Sequence, residues 1–184
     1  MKIHIMGDSS ACSTTLRHVL EGETDIPYFD TDDYFWMRSQ PPFTLRRDPL
    51  ERNRMLLDDL AKEDHFIVGG SIIQWGATWL TMFDLVIFLY VPRTIRMQRL
   101  NEREEKRYGD RLVTDPILAE KYNSFIRWAY GYDDDTTSGR NLSAHRAWLS
   151  RLECPVLEIS GDTSVAERLT RIKQVISSGH WVQR

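Results

Sequence analysis

Five short apolar runs recur along the chain: KIHIMG (2–7), IPYFD (26–30), HFIVGG (65–70), LVIFLYV (85–91) and PVLEIS (155–160). Most lack the polar alternation of a strand with one wetted face, as expected of parallel strands covered on both sides. Helix-patterned segments lie between and after them: TTLRHVL follows the first run, PLERNRMLLDDLAKE precedes the third, RTIRMQRLNEREEKR follows the fourth and VAERLTRIKQVI the fifth. Strand, helix and strand in this repeated order predict a three-layer α/β/α sandwich around a parallel sheet.

Two regions depart from the alternation. Residues 31–47, with Pro41, Pro42 and the paired Arg46 and Arg47, read as an insertion on the substrate side. Residues 108–150 hold two more helical patterns, ILAEKYNSFIRWAY and LSAHRAWLSRL, and 100–140 reads as a lid-like excursion. No low-complexity linker divides the 184 residues, so one domain over 1–184 is expected. A formal charge of -3 gives no general attraction to nucleic acid or to an anionic membrane. The two cysteines, Cys12 and Cys154, are too few for a disulfide framework and lack metal-ligand spacing. The N-terminus shows no apolar leader, and LVIFLYV is far shorter than a membrane span, so a cytoplasmic protein is expected.

In open α/β sheets ligands sit at the carboxyl ends of the strands, and the turn from the first strand into the first helix is the usual phosphate site. Here that turn reads GDSSACSTT, Gly7 to Thr15. In the pattern G-x-x-x-x-G-K-[ST] the backbone N–H groups and the helix dipole hold phosphate, the lysine reaches the outer phosphates and the hydroxyl binds magnesium. Gly7 opens this frame and Thr14 falls on the hydroxyl position, but Cys12 replaces the second glycine and Ser13 the lysine. The amides of Ser10, Ala11, Cys12, Ser13, Thr14 and Thr15 are the candidate phosphate donors. Losing one preorganised donor to the transferring group costs about 2.7–4 kcal/mol of barrier, so another cation must compensate if transfer is to be fast. A polar turn with a serine or threonine as helix N-cap would carry the same residues.

The second apolar run leads into FDTDDYFW. Phosphoryl transfer to a small hydroxyl needs a carboxylate near the phosphates to orient or deprotonate the acceptor. Asp30, at the strand end, is the candidate for magnesium and its waters, with Thr14; Asp32 is the candidate for the acceptor hydroxyl. An N-cap followed by a solvated acidic turn is the plainer account of these aspartates.

Taken together, GDSSACSTT, FDTDDYFW, IVGGS with QWG, FLYVP with its arginine-rich helix, and CPVLEISGD resemble the adenylate-kinase-like superfamily of P-loop kinases, over nearly the whole chain. The chain is most similar to small bacterial proteins labelled adenylate kinase or AAA family ATPase, whose loop resembles GASGSGTTT and already lacks the lysine. Cys12 departs even from these. The resemblance implies strand order 2-3-1-4-5, ATP and Mg²⁺ as cofactors, a small-molecule phosphate acceptor at Asp32, and a nucleoside or nucleotide as the first acceptor class. It also implies that the SGD after the fifth run, Ser160 to Asp162, flanks an adenine.

Arg96, Arg99, Arg103 and Arg107 recur at spacings that stack them on one helix face. From Pro92 to Arg111 seven Lys or Arg face four Asp or Glu, a local +3. Arg99 and Arg103 are the candidates to replace the missing lysine on the transferred group; a solvated face with Glu102, Glu104 and Glu105 as partners is the plain alternative. Trp36, Trp75 and Trp79 could stack on a base or simply pack. Asp133, Asp134 and Asp135 read as a solvated loop, and His4, His65 and His180 carry no metal spacing. The expected function is an ATP-dependent small-molecule kinase with a degenerate loop. The alternatives are a nucleotide-binding regulator or slow NTPase that has lost transfer, and an anion-binding or purely structural relic.

Overall fold

The computed structural model describes residues 1–8, 13–40 and 42–178, leaving aside the side chains of residues 13–15, 18, 21, 23 and 178. Each apolar run contributes one strand: β1 Lys2–Gly7, β2 Tyr28–Asp30, β3 Phe66–Gly69, β4 Leu85–Tyr90 and β5 Val156–Ser160. They form a single parallel sheet in the order β2-β3-β1-β4-β5, the order the resemblance implied. β2 begins at Tyr28 rather than at residue 26, because Pro27 has no N–H to donate; its carbonyl instead accepts from the Ile67 N–H at 2.9 Å.

The described helices are α1 Ser13–Thr24, α2 Thr31–Phe35, α3 Pro49–Leu60, α4 Arg93–Tyr108, α5 Arg111–Thr114, α6 Pro116–Tyr130, α7 Leu142–Leu149 and α8 Val165–Ser178. Two start by the same local chemistry. Asp48 accepts from the N–H groups of Leu50 and Glu51 ahead of α3, Asp115 from those of Ile117 and Leu118 ahead of α6, and a proline opens each helix. The proline's missing donor is one the first turn would have left unpaired, and its fixed φ suits the helix.

Alternation along β1 divides the core. Ile3 and Ile5 face Leu16 and Leu20 of α1 and Leu169 and Ile172 of α8, while Met6 faces the opposite layer of Leu56, Leu60, Trp79 and Trp148. Burial of both faces explains the near-continuous apolar reading of the strands. Trp75 and Trp79 are buried in that second layer, so base stacking by them is corrected to core packing. The strands all end on the same edge, where Gly69 and Gly70 close β3. A Cβ on Gly69 would lie 1.5 Å from the Tyr28 hydroxyl, and one on Gly70, at φ +104°, would lie 1.9 Å from Thr31 Oγ1. The chain's own neighbours therefore exclude side chains at both positions.

Candidate functional site

Above the carboxyl ends of β1 to β4 lies a cleft of about 830 Å³. Its floor includes Gly7, Asp8, Gly70 and Ser71; one wall is the segment from Asp30 to Arg46, and the other is built from α4 and α6. An antiparallel bridge between Trp36 and Arg46 folds the 31–47 segment back on itself and turns both residues to the cleft. This is the position that the open-sheet rule gives a ligand.

The acidic wall is organised by α2. Asp30 caps this short helix: its Oδ1 accepts the Asp32 N–H at 3.0 Å, while Oδ2 lies 3.8 Å from Arg17. Burial raises the Asp30 pKa, and the neighbouring carboxylates of Asp32 and Asp33 add to the rise. Asp32 is exposed and lines the cleft. Its backbone is engaged, N–H to Asp30 and carbonyl to the Trp36 N–H, but its carboxylate makes no hydrogen bond or ion pair to a described residue.

The same cleft holds two cations without carboxylate partners among the described residues. Arg46 lies over Phe35 and Trp36, with 5.8 and 6.0 Å to the ring centroids, and Arg140 lies 5.3 Å over Trp128. Neither has a described carboxylate within ion-pair distance. Arg140 reaches solvent through the cleft yet is enclosed by its walls, which lowers its pKa; Asp32 pulls it up and Arg46 pushes it down. Two guanidiniums that raise each other's cost in one cleft are stabilised by an anion between them.

The arginine face of α4 is divided by the fold. Arg96 is fully buried. Arg99 pairs with Asp162 and lines a second hollow of about 470 Å³, with Thr163 and Ser164 at the start of α8. Arg103 touches both hollows, and it and Arg107 share the buried carboxylate of Glu104 at 2.8 and 3.5 Å. Of the two proposed compensating arginines, Arg103 stands in the main cleft and Arg99 beside the loop after β5.

Arg96 has a different task. Its guanidinium meets Asp8 at 3.3 Å, pairs with Asp133, and donates to the carbonyls of Val91 and Ala129 at 3.1 and 3.2 Å. The network ties the end of β1 to the end of β4 and to the turn after α6. Tyr90 and Arg93 also donate to Asp133, at 2.9 and 3.3 Å. Burial alone would raise Asp133, but the hydrogen bonds from Arg96 and Tyr90 outweigh it and hold the carboxyl below its usual range. The solvated-loop reading of Asp133 is thus corrected: only 14% of its side chain is exposed. Asp8 is pushed up to about 7 by burial, with Arg96 pulling it back.

Behind Ser71 runs a buried polar chain that the sequence did not signal. The Ser71 hydroxyl lies 3.1 Å from Nε2 of His145, whose Nδ1 lies 2.6 Å from the Tyr132 hydroxyl. Deeper under the sheet, His4 donates from Nδ1 to the Val68 carbonyl at 3.0 Å and stacks on Phe83. Burial lowers His4 to about 4; burial and the positive charge of Arg140 lower His145 to about 3. Both rings are neutral in the fold and take up a proton on unfolding below their ordinary 6.5. The unfolded state then binds more protons, so stability falls as pH drops below that value, by about 1.4 kcal/mol per pH unit for each ring. Asp8, raised rather than lowered, works in the opposite direction, and a difference measurement removes it. The stability gap between wild type and His145→Gln should narrow by about 2.5 kcal/mol from pH 7 to 4.5 in urea titrations. A gap independent of pH would mean that His145 titrates normally in the fold.

Ser10, Ala11 and Cys12 lie outside the described residues, as do the side chains of Ser13, Thr14 and Thr15, whose backbone opens α1. Among the described residues no group of three or more His, Cys, Asp or Glu forms a protein-only metal cage. Mg²⁺ does not require one, since it is commonly held through one or two carboxylates, water and substrate phosphates. Asp30, and Asp8 with its Oδ1 lacking a partner among the described residues, supply hard oxygen donors of that kind. Among the described residues no helix is long and apolar enough to cross a membrane.

No family model matches the chain. Over 176 residues, 96% of this chain and 97% of the relative, it is 36% identical to the uncharacterized protein YqaC of Bacillus subtilis strain 168. Shikimate kinase from Acinetobacter baumannii in complex with shikimate is a structural neighbour, with TM-score 0.54 and 18% identity over 97% of this chain and 94% of that one. Shikimate kinase from Bacteroides thetaiotaomicron is another, with TM-score 0.56 and 15% identity over 96% and 98%. At such identities the likeness is one of fold, the fold of P-loop kinases.

Proposed function

We propose that this chain, which belongs to the family of the Bacillus subtilis protein YqaC, is an ATP-dependent kinase for a small metabolite that carries both a hydroxyl and an anionic group. The observation that carries this reading is the pairing, in one cleft at the strand ends, of an unengaged carboxylate, Asp32, with two guanidiniums, Arg46 and Arg140, that lack carboxylate partners. A site built only for solvation would satisfy these charges with each other. Shikimate kinases, which act from the same fold, lend support.

Phosphoryl transfer is largely positioning plus charge stabilisation. The amides from Gly7 to Thr15 and the α1 dipole would hold the nucleotide phosphates. Asp32 orients the acceptor hydroxyl and takes its proton as the oxygen bonds to the γ-phosphorus and the bond to the β-phosphate oxygen breaks. Arg46 and Arg140 hold the acceptor's anion. Arg103 supplies the cation that Ser13 does not, with Arg99 at the nucleotide side, and the 100–140 region closes as a lid. Asp30 and the Thr14 hydroxyl would hold magnesium, which would supply neutralisation of the phosphate charge. The aromatic rings of Trp36 and Phe43 in the cleft favour a nucleotide as the first acceptor to test, ahead of hydroxy acids.

The test is ADP release with mass detection of the product across nucleosides, nucleoside monophosphates, shikimate and other hydroxy acids. A phosphorylated anionic acceptor is expected. Saturable MgATP binding without product on any of them would instead favour a nucleotide-binding regulator or slow NTPase.

A further inference from the structure

We infer that Ser71 is a substrate-contacting residue of the cleft, its hydroxyl hydrogen turned toward an oxygen of the acceptor's anionic group by the His145–Tyr132 pair behind it. The inference rests on the kinase reading and names a residue that decides which acceptors fit.

The hydrogens of this buried chain can be placed in only one satisfied arrangement. Tyr132 is 3% exposed, and its hydroxyl has one hydrogen-bond partner among the described residues, Nδ1 of His145. If Nδ1 carried the ring proton, the phenol would have to accept, and its own hydrogen would be buried without an acceptor, at a cost of about 1–3 kcal/mol. The reverse arrangement leaves nothing orphaned. Tyr132 donates to Nδ1, the neutral ring carries its proton on Nε2, and Nε2–H donates to Ser71 Oγ at 3.1 Å. A single hydrogen then remains to be placed, that of Ser71, and Ser71 lines the cleft. The ring cannot relieve the constraint by charging, because burial keeps it neutral.

What the hydrogen meets follows from its surroundings. Arg140 lines the same cleft as Ser71, and its positive charge depresses the basicity of His145 behind that serine. A cation beside a fixed neutral donor suits an oxyanion, carboxylate or phosphate, better than a cationic or apolar group. The backbone from which Ser71 projects is tied to β1, since the Gly70 N–H donates to the Ile5 carbonyl at 3.0 Å, and at φ +104°, with Thr31 Oγ1 1.9 Å from where a Cβ would be, position 70 admits no side chain.

Two measurements test this. The ¹⁵N shifts of His145 in the intact protein report the tautomer directly, without any assay. A ring protonated at Nε2 is expected, with that preference weakened in Tyr132→Phe. In the kinase assay, with the acceptor found on the panel, Ser71→Ala should raise the acceptor KM at least tenfold, as expected for a hydrogen bond to a charged group, and leave the KM for MgATP within about twofold. His145→Phe, which frees the hydroxyl to rotate, should raise the acceptor KM by a smaller factor and add nothing in the Ser71→Ala background. A ring protonated at Nδ1 overturns the inference whatever the assay gives, and so does an unchanged acceptor KM in a folded Ser71→Ala. A wild type that phosphorylates nothing on the panel while its ring is protonated at Nε2 overturns the kinase reading, and the substrate role of Ser71 falls with it.

Discussion

Asp32→Asn is expected to slow phosphoryl transfer by about a hundredfold to ten-thousandfold while leaving affinity for MgATP within about threefold of wild type, the range attributed to a positioned general base. The structure makes this a clean substitution. Asp32 holds α2 together with its backbone, through its N–H to Asp30 and its carbonyl from Trp36, and its carboxylate bonds to no described residue. Asparagine keeps the size and the backbone bonds but cannot take a proton from the acceptor. Removing the charge leaves Arg140 without the attraction of Asp32 and so more in need of an anion, and acceptor affinity should change little or improve. Parallel measurements of single-turnover rate, MgATP affinity and thermal midpoint separate the possibilities. If rate, affinity and midpoint fall together, Asp32 is structural, and the catalytic assignment is lost. Asp30→Asn makes the contrast: its carboxylate caps α2 and faces Arg17, so a loss of stability should accompany any loss of rate.

Arg96→Met should cost about 3–5 kcal/mol of folding stability, the usual result of removing one partner from a buried ion pair. The arginine is entirely buried, its partner Asp8 is 1% exposed, and Asp133 is 14% exposed, so the carboxylates left behind have little access to water. The loss depends on pH with a definite sign. Asp8 is already pushed up to about 7 with the arginine present, and higher without it. An acid whose folded pKa is raised keeps its proton in the fold and releases it on unfolding, so stability falls as pH rises through the interval between the two values. Arg96→Met should accordingly be more harmful at pH 8 than at pH 5, and Asp8→Asn introduced alongside it should recover part of the loss. Urea titrations at the two pH values check this. Equal destabilisation at both, with no recovery, would mean that the bonds from Arg96 to the Val91 and Ala129 carbonyls, rather than charge balance, account for its importance. Because Asp8 follows Gly7 directly into the proposed phosphate loop, the same variant should also weaken MgATP binding.

The sheet was legible in the sequence because its signal is local. A strand covered on both faces is apolar residue after residue, a helix between strands repeats every 3.6, and neither pattern needs knowledge of distant neighbours. Even the start of β2 was shifted only by Pro27, whose missing donor is also a local fact. The acidic wall was legible for a similar reason, since Asp30 and Asp32 are held in one turn by a bond between residues two apart. The arginine face of α4 was legible as a face, but what each arginine meets was not. Arg96, Arg99 and Arg103 are drawn to a buried aspartate, to the turn after β5 and to the cleft by elements that arrive from far along the chain.

Composition and periodicity by themselves determined a parallel α/β sandwich, with its turns and acidic residues gathered at the strand ends. The tertiary structure alone decided which charges remain available for a ligand. Asp8 and Arg96 are 88 residues apart and Ser71 and His145 are 74 apart, yet each pair is in contact. The physical reason is that an ionic or hydrogen-bonding side chain has no periodic signature: whether it is consumed by a partner or left open in a cleft depends on which distant segments the packing of the core brings beside it.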